Sequence, residues 1–420
     1  MTIKRWIGNA PATADVWTIT LSGTVTSQTY SVTINSKVLT FVAGISDTVD
    51  SVLAGLVSAW NSLAPLPPPE FQELTASGFP AAGPFTSIVL TQDVSGRPTS
   101  ISVGTTGGAS FSIINSTPAT GPNDFANPLN WSVGAAPVNA DTLVFDNGNV
   151  PCKHNLGTTL TGISLAIDPG YSGEIGLPLL NQDNPSTAYN EYRTTSLTLS
   201  GGTVVVNSGK IGRCNLDFGA NPTTLRVLNT GQRIDPETPV VLITGGDASS
   251  ELSMNRGDVG LAFFQGQTAT MPLVRTAYTT QPLSDVNLTI GSGAVLTTLT
   301  KNGGHLTSRA GATTINQELL GGTLTLSDAA AVTALNVFGG TAVISTTGTI
   351  DTINLYSNAV LDVDQDPRPR TFTNPINVYS KDVSIRDNQK VINSGTLSLN
   401  THGAESVHVE HGANTTMLFT

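Results

Sequence analysis

Charge is what this sequence has least of: only 12% of its 420 residues are Asp, Glu, Lys or Arg, about half the share of an average globular protein. Nineteen Lys and Arg against thirty Asp and Glu leave a net charge of −11. With no basic cluster to displace counterions from phosphates, nucleic acid is excluded as an expected partner. The densest basic pair, Arg368 and Arg370, sits beside Asp362, Asp364 and Asp366. Long apolar runs are also missing. Short pieces such as Val240 to Thr244 fall far below the roughly 18 to 20 residues of a spanning helix, so membrane insertion is not expected. Two cysteines, Cys152 and Cys214, are too few for a disulfide framework in a chain this long, and both are expected as reduced thiols. The first residues, Met-Thr-Ile-Lys-Arg-Trp-Ile-Gly, lack the apolar stretch of a secretory signal, so the chain is expected to fold in the cytoplasm where it is made.

Gly (42), Pro (24) and many Thr, Ser and Asn residues stand where charge would. Hydrophobic residues make up 39% and come in short alternating runs, the pattern of a buried β structure rather than of disorder. The fold class expected is mainly β: a small α+β domain over 1–115, sandwich-like with one helix, then a β-solenoid or β-helix. In the first domain Trp17 to Leu21 and Tyr30 to Val42 alternate, with Asn35-Ser36 as the turn of a hairpin. Val49, Val52, Leu53, Leu56, Val57 and Trp60 then fall on one helical face, with Ser46 or Asp47 as its cap. The run Pro65, Pro67, Pro68, Pro69 ends that helix, and Ile88 to Thr91 and Thr99 to Val103 read as further strands. Such a module suits docking.

Residues 116–140, rich in Pro, Gly and Asn, are expected as a linker and the start of the solenoid, which spans 141–400 and leaves a tail or cap over 401–420. Gly303-Gly304, Gly321-Gly322 and Gly339-Gly340 recur every 18 residues, with Ser357-Asn358 one step later. This register predicts columns of Leu319, Val337, Leu355 and of Leu306, Leu324, Ala342, Val360, with Glu318, Asn336, Asn354 as a polar column. Such rungs stack at roughly 4.8 Å and share one core. In the fourth copy Asp362 takes the place of Leu326 and Ile344, so a one-residue slip must turn Leu361 and Val363 inward. Asp364 to Phe372 is read as an insertion, and Ser196 to Val206 repeats the strand, Gly-pair, strand pattern. Trp6, Gly8, Ala10-Pro11, Ala14-Asp15 is echoed by Trp131, Gly134, Ala136-Pro137, Ala140-Asp141, read as Trp caps on an open β end with Asp capping a turn.

Catalysis needs converging groups, and three constellations in the sequence offer them. Asp362, Asp364 and Asp366 would share one face if all lay on a strand, fitting Ca²⁺ or a glycosidase pair, but Pro367 replaces the loop glycine and two arginines neutralise them. Asp328 and Asp364, two rungs apart in the regular register, would lie about 9.5 Å apart, at the outer edge for an inverting pair. His402, His408, Glu410 and His411 form a second group, in which His408 and Glu410 share a face and His411 points away. Cys152 and His154 alternate but lack further ligands. Each reads better as structure, so no catalytic, cofactor-binding or metal-binding residue is assigned and no cofactor is expected.

The stretch Asn130-Trp131-Ser132, Ala136-Pro137-Val138-Asn139, Asp141, Leu143-Val144-Phe145-Asp146, with Tyr171 to Pro178 and Tyr189-Asn190-Glu191-Tyr192-Arg193, resembles tailed-bacteriophage structural proteins with a Gly-rich β-repeat body. Thr29 to Asn61 followed by Leu74 to Ser77 is similar to small domains of phage virion proteins. The resemblance implies a non-enzymatic virion component made in the host cytoplasm, partnered by other capsid or tail proteins, homo-oligomeric with a trimer among the forms considered, and in reach of host surface glycans. A capsid decoration protein or head fibre is favoured over a tail fibre or spike, whose solenoids use intertwined trimers. The alternatives are a polysaccharide-degrading β-helix enzyme or tailspike, and a bacterial surface adhesin.

Overall fold

Alternating side chains put one face of each strand inside, and parallel pairing of one turn on the next makes those faces a single core. The computed structural model describes residues 2–62, 65–181, 189–231, 233, 237–276, 286–318, 322–402 and 407–419. Its body is a β-solenoid of about 11 turns. One parallel sheet runs from Thr142–Phe145 to Thr416–Phe419, and a second from Cys214–Asp217 to His408–His411. In the first, Leu225, Leu252, Val274, Leu299, Ile315, Leu335 and Ile353 stack in unbroken register, each at most 1% exposed. In the second, Val259, Leu288, Leu306, Leu324, Ala342, Leu361 and Ile385 do the same. Burial of each such Leu or Ile contributes roughly 2 kcal/mol, which no rung collects until its neighbour covers it.

The corners need glycine at particular places. Gly202 has φ +121°, and a Cβ there would lie 1.9 Å from the Ile163 carbonyl oxygen. That bend lets Leu197–Asn207 run as one long strand with Leu197, Leu199, Val204 and Val206 inward.

The N-terminal module holds a four-stranded antiparallel sheet in the order Leu74–Phe79, Ser87–Gln92, Val16–Ser22, Ser110–Thr117. A three-stranded one is ordered Lys37–Val42, Thr29–Ile34, Ser102–Thr105. The helix α1 (Val49–Trp60) buries Val52, Leu53, Leu56 and Trp60. Its cap is Thr48 in a reciprocal box with Ser51 rather than Ser46 or Asp47, although Asp47 accepts from the Ser51 hydroxyl. The Asn35-Ser36 turn has both residues at positive φ, as a tight hairpin demands.

Three expected boundaries shift. Ile3–Arg5 pairs with Thr142–Phe145 and so belongs to the solenoid, outside the 1–115 module. Within 116–140, expected as linker and solenoid entry, Ala119, Asp124, Phe125, Asn130 and Trp131 are buried against the start of the solenoid. Trp6 and Trp131 meet edge to face at 5.2 Å, and Phe125, Phe145 and Tyr171 complete an aromatic plug. Asp15 and Asp141 each accept backbone N–H groups, from Thr99 and Ala119 and from Thr2 and Val138. Beyond 400 the rungs continue, since His408–His411 and Thr416–Phe419 still pair.

Three columns are corrected. The position opposite Val337 is Gln317, and the polar column is Asn316, Asn336, Asn354, Asn377, Asn400 rather than one containing Glu318; Leu319 and Gly321 lie outside the described residues. The cause is spacing. The step from Asn316 to Asn336 is 20 residues, although the second sheet keeps 18 between Leu306, Leu324 and Ala342. The slip at Asp362 occurs, with Leu361 and Val363 fully buried, but it begins at the preceding corner, so Leu361 instead of Val360 stacks on Ala342.

The asparagines form a ladder. Each later Nδ2 donates to the preceding Oδ1, at 2.8, 2.7, 2.8 and 3.2 Å. Two residues on, Phe338, Tyr356, Tyr379 and His402 stack face to face at 4.6, 4.8 and 4.5 Å. Rung repetition brings identical or planar side chains into contact along the axis.

One inward column turns polar for three turns between Met254 and Val337. Thr276, Lys301 and Gln317 follow one another, all at most 2% exposed, and Gln317 Nε2 donates to the Gly339 carbonyl at 2.9 Å. Burial pulls the Lys301 ammonium down from 10.5 to about 8. Between those pH values the unfolded chain binds the proton that the folded chain has lost, so stability rises with pH there, and the penalty is full below about 8. Lys301→Met is therefore expected to raise stability at pH 7 by roughly 1–3 kcal/mol and to flatten the rise between pH 7.5 and 10, as measured by denaturant unfolding. A variant less stable than wild type at pH 7 contradicts this.

Candidate functional site

The candidates read from the sequence separate. Asp362 ends its strand and accepts from the Asp364 N–H at 2.9 Å. Asp364 lies in the following turn, where it accepts the Asn388 N–H at 2.6 Å and side chain at 2.7 Å. Asp366 pairs with Arg368 at 2.6 Å and Arg370 at 3.2 Å, and the bonds from Arg368 hold its carboxyl well below the usual carboxylate range. The three do not share a strand face. Asp328 pairs with Arg309 at 3.7 Å, and the ladder ends at Val343↔Asp362, so Asp364 leaves the column in which the regular register set it above Asp328. Asp387, not singled out in the sequence, is fully buried and accepts from Val391 and Ile392; burial holds its carboxyl above the usual range.

His408 and Glu410 do share a face at 3.3 Å, with Arg386 3.7 Å from Glu410. His402 is instead the last ring of the aromatic stack, and His411 bonds to the Gly412 carbonyl. Among the described residues no three His, Cys, Asp or Glu side chains are placed to hold a metal ion. Cys152 and Cys214 are free thiols in one inward column with Ile175 between them, so two ladder steps keep them beyond disulfide reach. Burial raises both, Cys214 to about 12, which leaves them inert.

The place where charge does converge was not legible in the sequence: a cleft of about 350 Å³ between the module and the first solenoid turns. Behind it, Cys152, Ile175 and Cys214 pair on successive turns and are fully buried. Lys153, Glu174 and Arg213 are the outward neighbours of those three residues on successive turns. Glu174 thus sits between two cations, 2.7 Å from Lys153 and 3.6 Å from Arg213. Val94 to Arg97 of the module form the opposite wall, with Asn123, His154, Asn181 and Glu191 around it.

Beside the cleft, Glu73 of the module joins the two parts. It is 2.9 Å from Arg97, pairs with Arg193, and accepts from Asn181 at 3.0 Å and from the Tyr189 hydroxyl. Arg193 also reaches Glu191 at 2.9 Å and the Pro98 carbonyl, and lies over the Tyr192 ring at 4.4 Å. Glu73, Arg193 and Glu191 side chains are all under 10% exposed. Burial first, then the bond to Glu73, push the Tyr189 phenol far above its usual value. No local spacing reveals this network, because it draws on residues from 73 to 213; the one hint was Tyr189 to Arg193, an unusually aromatic and charged run.

The fold defines a β-solenoid protein with an appended α+β module. Comparison with protein-family models, with curated proteins and with solved structures finds no match to the chain.

Removing one partner of a buried pair leaves the other charge uncompensated, at a cost of about 3 kcal/mol or more. Glu73→Gln is expected to lower stability by about that amount and to split the calorimetric transition in two as the module melts apart from the solenoid. An unchanged single transition contradicts the role given to Glu73.

Proposed function

We propose that the protein is a non-enzymatic structural component of a bacteriophage virion, exposed on the particle surface as a capsid decoration protein or head fibre. The observation that carries the structural reading is that the outward columns are spent on each other. The asparagine ladder, the aromatic stack and the Asp364–Asn388 and Asp366–Arg368 contacts all run from rung to rung or brace a corner. These bonds stiffen the body along its axis, which a surface rod needs.

Successive rungs pair within one chain, which supports a decoration protein or head fibre over an intertwined tail spike. The phage context rests on the sequence resemblance at 130–146, 171–178 and 189–193. Other virion proteins are the proposed partners, docked through the module or the solenoid flank.

Electron microscopy of purified particles tests the reading: density for the chain on the capsid surface is expected, and its absence from particles overturns it. Alanine at Asp362, Asp364 and Asp366 provides the second arm. A host-capsule depolymerase activity lost in that variant would make the protein an enzyme instead.

A further inference from the structure

Among the described residues, Arg97, Lys153, Arg193 and Arg213 face Glu73, Glu174 and Glu191, four cations to three carboxylates in a chain whose net charge is −11. Glu73 and Glu191 are occupied within the joint: Glu191 accepts from the Tyr192 and Arg193 N–H groups and from the Arg193 guanidinium. The surplus therefore lies at the mouth, where Lys153 and Arg213 share Glu174 and all three remain 20–27% exposed.

An ammonium has three donors and a guanidinium five, so one shared carboxylate cannot saturate both. A second oxyanion between them completes the set, with Arg213 offering the planar fork that carboxylates match. The volume, about 350 Å³, is at the small end for ligand sites, enough for a single sugar ring. The described lining contains no Phe, Tyr or Trp side chain, while Ser95, Asn123 and Asn181 contribute polar groups. Recognition would thus be by charge and hydrogen bonds rather than by stacking.

We propose that this cleft binds a small polyhydroxylated carboxylate of hexuronate size, its carboxylate between Lys153 and Arg213 and its hydroxyls toward Ser95 and Asn123. The site does not depend on the particle reading, because it is defined by the joint between module and solenoid.

Calorimetric titration of the full chain with glucuronate, glucose and sulfate at low and moderate salt tests it. Saturable one-site glucuronate binding is expected, weakening as salt rises, with glucose and sulfate each at least about tenfold weaker. Arg213→Gln and Lys153→Met should each weaken glucuronate by about tenfold, the loss of one charged hydrogen bond. Thermal melting confirms that both variants stay folded; Lys153→Arg, which keeps the charge, should retain most of the binding and guards against a folding artefact. Glucuronate binding no tighter than glucose, sulfate binding as tightly as glucuronate, or folded variants that bind like wild type would each overturn the proposal.

Discussion

In-register parallel stacking is the constraint from which the rest follows. A rung at about 4.8 Å from its neighbour repeats every outward position along the axis, so a charged position becomes a column of like charges that repel. Uncharged side chains that can donate and accept avoid this. Asparagine does so best here, because its amide bonds both the rung above and the rung below, as from Asn316 to Asn400. The scarcity of charge thus follows from the architecture, and where charges do stand on the strands an uncharged residue can separate like ones, as Ser253 separates Arg226 from Arg275.

The insertions obey the same rule. The loops after Asp362 and after Asp387 are irregular, yet they stack on each other through the Arg370–Ile392 bridge and the Asp364–Asn388 bonds. Arg370 is 1% exposed and is held by Asp366 and by backbone carbonyls, including that of Ile344 at 2.9 Å. A buried cation so fully bonded locks the loop's path. The aspartates that looked like ligands or acid–base pairs are components of this corner.

Much of the fold was legible because local periodicity is what a solenoid is made of. The Gly pairs exposed the repeat, the misplaced Asp362 exposed the slip, and the helical face from Val49 to Trp60 was plain. Columns failed where the two sheets keep different steps. Gln317 and Asn316 enter the first-sheet columns where an 18-residue step points to Leu319 and Glu318, because one turn carries two more residues between its strands. The charged cleft could not be read, since Glu73, Arg97, Glu174, Arg193 and Arg213 meet only after the module folds back on the first turns. Ile3–Arg5 was missed for a similar reason: three residues pair with a strand about 140 positions later.

A body that stacks in register should open as one unit, and native-state hydrogen exchange measures this most directly. The account predicts that amides of Ala312–Gln317, Val332–Val337, Ile350–Leu355 and Ile376–Val378 exchange with one common opening free energy that matches global unfolding. Rungs that open independently, with a graded series of free energies along the axis, would contradict the claim that continuous stacking holds the molecule together.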